Sequence, residues 1–214
     1  MIRSCTLLCL GTFLAATAAS AQEATPSGLT AADDKADTFN EVERGFFVGA
    51  SAGPFFIVNP PAPAGARRPF SPGQMAQVEL GVDIGTFLSL SAFLSGTANR
   101  AGSDYTGLSG AGGSASGDFA ALVPGAAARL NLVGFEDAYQ TKRTWLYLRA
   151  GAGLALFSPR QLLPTPDILV FGGPGVEYYT RLRHFSVGVE LSGSYLLATG
   201  TFGFAVTPNL RYAF

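Results

Sequence analysis

The last thirteen residues, Phe202-Gly-Phe-Ala-Val-Thr-Pro-Asn-Leu-Arg-Tyr-Ala-Phe214, constrain the chain most. Every second position is apolar: Phe202, Phe204, Val206, Pro208, Leu210, Tyr212 and Phe214. The positions between them, from Gly203 to Ala213, are small or polar. A helix would scatter the two sets around its surface, whereas a strand places them on opposite faces. The same period of two recurs upstream, each time bounded by turn-forming residues. An all-β chain is therefore expected.

The amino end reads as an export signal. Arg3 supplies a positive n-region, residues 7–14 an apolar core and Ala19-Ser20-Ala21 a small-x-small cleavage site. The apolar stretch is too short to span a bilayer, so residues 1–21 are expected to be a signal peptide removed before Gln22. A lipoprotein signal is disfavoured because Cys9 follows Leu8, where a small residue is needed. Both cysteines, Cys5 and Cys9, would leave with the signal, which excludes a disulfide framework and a thiol nucleophile in the mature chain. Residues 22–43 carry Glu23, Asp33, Asp34, Asp37, Glu41 and Glu43 against Lys35 alone, and read as a disordered acidic periplasmic tail. No basic stripe interleaved with aromatics exists, so nucleic acid is not an expected partner.

Residues 44–214 then form the folded part. Charged residues make up 14% of the chain and mean hydropathy is +0.28, yet no mature stretch is long enough for a spanning helix. Hydrophobicity spread over short alternating runs, with 27 glycines in the chain, predicts a transmembrane barrel. The expected strands are 45–56, 74–82, 87–95, 119–132, 145–157, 168–179, a seventh from Phe185 and the terminal 202–214. Prolines in 58–73 are expected to forbid helix and ladder alike, and 96–118 and 158–167 read as further loops. Tight turns are expected at 83–86 and 180–184. Long connections on one side and short ones on the other, with an even strand count, predict an eight-stranded antiparallel transmembrane β-barrel whose termini are periplasmic. Two connections fit less well: the one after strand four is long, and the one after strand seven short.

If the smooth apolar set faces lipid, the opposite set lines the lumen. Glu79, Asp83, Arg129, Arg149, Glu177, Glu190 and Arg211 all share a strand face with small residues. An Arg or Lys on the lipid face at mid-depth would cost about 2–4 kcal/mol, so inward placement is favoured. Four acids and three arginines in a lumen only wide enough for side chains should pair and form a structural plug. Aromatic residues near strand ends are expected to form two interfacial girdles. Phe46, Trp145, Tyr178, Phe185, Tyr212 and Phe214 fall at the periplasmic end, and Phe56, Phe119, Phe157, Tyr195 and Phe202 at the outer one.

Candidate chemistry is sparse. His184 is the sole histidine, and His184-Phe-Ser186 resembles the His-x-Ser pair of outer-membrane lipid A deacylases. Val187, however, stands where that motif has Asn. A turn histidine is the expected role, with no catalytic residue, no cofactor and no metal site. Arg67, Arg68, Arg100 and Arg160 read either as contacts to lipid phosphates or as solvated loop charges.

The closing strand resembles the terminal strand of bacterial outer-membrane barrels, which implies that Leu210, Tyr212 and Phe214 are an assembly signal read by the barrel-assembly machinery. More generally the chain resembles small barrels such as OmpA and OmpX, with outer-membrane lipid as their surroundings. Several runs, among them Arg-Pro-Phe-Ser-Pro-Gly-Gln-Met-Ala-Gln (68–77), Ser-Gly-Asp-Phe-Ala-Ala-Leu-Val-Pro-Gly (116–125) and Pro-Gly-Val-Glu-Tyr-Tyr-Thr-Arg-Leu-Arg-His-Phe-Ser-Val-Gly (174–188), are similar to the CglE family of myxobacterial adventurous gliding motility. The likeness spans residues 43–214. It implies a non-enzymatic envelope component of the cell outer membrane, which partners gliding-motility complex proteins and passes between cells by outer-membrane exchange. The alternative is a small barrel that stabilises the envelope or binds a solute or lipid.

Overall fold

The computed structural model describes residues 42–58, 70–101, 117–158, 160, 165–182 and 184–214, with the side chains of 117 and 118 excepted. The expected signal peptide and all but the last two residues of the acidic tail lie outside the described residues, as do Arg67 and Arg68.

Eight antiparallel strands close into a barrel in sequence order. They are β1 (Phe46–Ile57), β2 (Ser71–Ile84), β3 (Leu88–Ala101), β4 (Gly117–Glu136), β5 (Lys142–Ser158), β6 (Asp167–Tyr179), β7 (Phe185–Leu196) and β8 (Thr201–Ala213). Closure is made by β1 against β8, from Phe47 opposite Ala213 to Ile57 opposite Gly203. The Phe214 N–H donates to the Phe46 carbonyl at 2.8 Å, carrying the ladder to the last residue.

Alternation sorts the side chains as the period of two requires. Val78, Leu80, Leu148, Leu154, Val189 and Leu191 are among the many large apolar residues exposed on the exterior. In water so broad an apolar belt would aggregate; in a bilayer it is the solvated surface. At the end bearing Val42–Gly45, the connections are short: Gly85 to Phe87, Asp137 to Thr141, and Thr180 to His184. That is the periplasmic end. Gly85, with φ +66°, turns the first of these connections.

The strands are longer than expected, which corrects three expected connections. β3 runs on from Gly96 to Ala101 and pairs with Gly117–Leu122, so both ends of the expected 96–118 loop are ladder, and 102–116 lie outside the described residues. β2 begins at Ser71 despite Pro72, because the register shifts between Ser71 and Gln74 and releases the proline from donating. β4 continues to Glu136 through a second shift between Asn131 and Val133, which puts Leu132 and Val133 both outside. The connection after β4 thereby shrinks to a turn. The one after β7, Leu197 to Gly200, is as short as the sequence implied.

The lumen has two unlike halves. Toward the outer end, Phe55, Ile57, Phe70, Phe119, Val123 and Phe157 pack with Phe93 and Leu196 into an apolar core. Phe119 stacks on Phe157 with centroids 5.3 Å apart, and Phe93 meets Phe171 edge-on at 5.4 Å. The expected girdles are corrected here. Phe119, Phe157 and Trp145 point inward and are buried. Their height on the strand suited a girdle, but their parity places them with Val123 and Tyr147 on the lumen face.

Candidate functional site

The periplasmic half of the lumen holds the seven charges named from the sequence, and the structure brings them together. Glu79 and Asp83 come from β2, Arg129 from β4, Arg149 from β5, Glu177 from β6, Glu190 from β7 and Arg211 from β8. Arg149 donates from Nη2 to Glu79 Oε2 at 2.6 Å, and its Nη1 lies 3.5 Å from Glu190 Oε1. Arg129 pairs with Glu177, and Arg211 with Asp83. Each acid draws on further donors: Ser186 Oγ on Glu177 at 2.6 Å, Ser89 Oγ on Asp83 at 2.6 Å, and Tyr147 Oη on Glu190 at 3.3 Å. Such secondary bonds are what a desolvated ion pair needs in order not to destabilise its surroundings.

Aromatic faces complete the layer. The Arg211 guanidinium lies 3.5 Å from the centroid of Phe47, and that of Arg129 3.8 Å from Tyr147. Gln77, with its amide oxygen turned to Arg149, stands 2.8 and 3.1 Å from the guanidinium nitrogens. Phe47, Gln77, Tyr147 and Ser186 were missed as site residues from the sequence. For Gln77, Tyr147 and Ser186 the signal was parity, since each occupies the same strand face as a named charge; Phe47 lies on β1, which carries none of the seven charges, and enters through its ladder partner Gly81.

Among the described residues, two small spaces lie inside the lumen. One of about 30 Å³ lies among Tyr147, Glu177, Asn209 and Arg211. Another of about 40 Å³ lies between the Arg149–Glu190 pair and the rings of Phe55, Phe93 and Phe171. Each has room for a water molecule or two and not for a solute.

The other sequence candidates are placed separately. His184 Nδ1 lies 2.9 Å from the Ala213 carbonyl oxygen and 2.5 Å from Glu43 Oε2, and its ring stacks on Tyr212. The Ser186 hydroxyl instead points into the lumen at Glu177, so the His-x-Ser pair does not form a nucleophile and base. Leu210 and Phe214 are exposed on the lipid face, with Phe214 edge-on to Tyr212. Arg100 belongs to β3 and not to a loop, a correction that follows from the longer strand; it is exposed opposite Asp118. Asp167, expected in a loop, is the buried first residue of β6. It accepts from the N–H groups of Ile168, Ala198 and Thr199 at 2.7, 2.8 and 3.2 Å, pinning the β7–β8 turn.

No protein-family model matches the chain, and no curated protein matches it. Solved structures do. Neisserial surface protein A (NspA) superposes with a TM-score of 0.58 at 15% identity, covering 79% of this chain and 97% of that one. The fold is that of a small outer-membrane β-barrel. Ail, the attachment invasion locus protein of Yersinia pestis, in complex with the heparin analogue sucrose octasulfate, gives 0.44 at 13% identity, over 79% and 99%. The outer membrane enzyme PagL gives 0.40 at 13%, over 78% and 99%. With its closed ladder and apolar exterior, the barrel resides in the outer membrane.

Proposed function

We propose that this outer-membrane barrel is a non-enzymatic envelope component that serves adventurous gliding motility. The observation that carries the motility reading is the likeness of residues 43–214 to the CglE family. The sealed lumen supports a scaffold rather than a transporter: ion pairs fill its lower half and rings its upper half. In this reading the periplasmic rim and the acidic tail face the motility complex of the inner membrane and periplasm. The outer loops face the surroundings, and the barrel passes between touching cells that exchange outer membrane. Leu210, Tyr212 and Phe214 would deliver it to the barrel-assembly machinery.

The test is single-cell gliding of a deletion strain of the host, alone and after mixing with non-motile donors that carry the gene. Lost gliding that returns on contact is the expected outcome. Normal gliding in the deletion strain overturns the motility reading, and leaves an envelope-stabilising barrel as the better account.

A further inference from the structure

A barrel closed by short turns should leave its periplasmic mouth open to water. Here the last interior rings of β5 and β6, Trp145 and Tyr179, are only 6% and 5% exposed. What covers them is the chain just before β1. The Arg44 guanidinium carbon lies 5.2 Å from the ring centroids of both Trp145 and Tyr179. Its Nη1 reaches across to the Thr86 carbonyl in the β2–β3 turn at 3.3 Å. The carboxylate of Glu43, one residue earlier, lies 2.5 Å from His184 Nδ1 at the β6–β7 turn, and the Gly45 carbonyl accepts from the Asp83 N–H at 2.8 Å.

Three residues, Glu43, Arg44 and Gly45, therefore tie β2, β5, β6 and two of the periplasmic turns across one opening. All of these bonds come from outside the strand ladder. Arg44 is suited to the task because a planar guanidinium lies against aromatic faces while still donating at its edge. Asp83, whose N–H bonds the Gly45 carbonyl, pairs with Arg211, and that pairing gains from exclusion of water. We propose that Val42–Gly45 is a releasable stopper of the periplasmic mouth, with Arg44 as its bolt. Freeing Arg44 admits solvent to the ion-pair layer while the eight strands stay closed.

The expected mature chain has no cysteine, so one introduced thiol reports on access. Ser91→Cys places it beside the lower lumen space, below the apolar rings that seal the outer end. The full-length barrel is purified in detergent, and labelling of the thiol by hydrogen peroxide, a probe little larger than water that adds one oxygen as a sulfenic acid and leaves as water, is followed by mass spectrometry. Adding Arg44→Ala, or deleting residues 22–44 and so leaving every strand intact, is expected to speed labelling at least tenfold. Closure of each variant is checked by heat-modifiable gel mobility. Unchanged labelling in a closed Arg44→Ala barrel overturns the proposal, and so does rapid labelling of Ser91→Cys with Arg44 in place. A closed deletion variant that labels no faster than its parent overturns it as well.

Discussion

Arg129 and Glu177 show how the lumen tolerates charge. Glu177 is 0% exposed and accepts from both Arg129 and Ser186, so neither partner can be removed without stranding the other. Arg129→Met is expected to lower unfolding free energy by about 3–5 kcal/mol in urea titrations of the refolded barrel. Arg129→Met with Glu177→Leu should recover most of that loss, and a double variant no better than the single one would sink this account. Asp137 works differently, in the β4–β5 turn outside the membrane. Partial loss of hydration favours its neutral form, but N–H groups of Tyr139 and Thr141 and the Arg143 guanidinium outweigh this and hold the carboxyl below its ordinary value. Its ionised form thus steadies the turn above the ordinary carboxylate range, and that contribution is lost as pH falls through the lowered pKa. A carbon-detected titration in micelles should place the Asp137 midpoint below that of an unstructured aspartate; a midpoint at or above it contradicts the assignment. At this scale the inward placement of the seven lumen charges was legible, because each shares parity with small residues. Which arginine meets which acid was not, since partners such as Glu79 and Arg149 are set by the curvature of the closed sheet.

At the level of the strand, the recurring device is an inward ring lying over a cross-strand glycine. Phe47 faces Gly81, Phe93 faces Gly125 and Tyr147 faces Gly175 in the ladder. A Cβ built on Gly175 would stand 2.2 Å from Tyr147 Cζ, and one on Gly81 2.4 Å from Phe47 Cζ. The glycines therefore serve close approach: eight strands leave too little lumen for rings that stand upright. Gly175→Ala must displace Tyr147, which also bonds Glu190 and underlies Arg129. A loss of about 1–3 kcal/mol is expected from overpacking, read as a lower urea midpoint with unchanged slope. An unchanged midpoint would mean that the ring has somewhere else to go. Strand identity was legible in the sequence wherever period two ran cleanly, as from Gln74 to Val82. It failed where Pro72 sat inside a register shift, where Gly96 to Ala101 looked like loop composition, and where the shift at Leu132–Val133 broke the alternation. Trp145, Phe119 and Phe157 were misplaced because distance from a strand end was given more weight than face.

Taken as one body, the described part of the barrel is doubly filled, with ion pairs and their rings below and stacked phenylalanines above, and its two small spaces, one within the ion-pair layer and one above it, hold only a few waters. Reconstituted into planar bilayers it should pass no steady current, whereas stable single-channel steps would show that the lumen opens and would favour a transport role. The two-part lumen also bears on how such a chain enters a membrane. Hairpins threaded from the periplasm advance with their outer ends first, and those ends must cross both leaflets. The inward side chains that travel farthest are Phe55, Phe119, Phe157 and their neighbours, with Asp167 the one acid among the described lumen residues of that region. The charges of the ion-pair layer follow, toward the trailing ends of the hairpins. The division of the lumen thus doubles as a gradient along the direction of insertion, greasy at the leading edge and ionic at the rear.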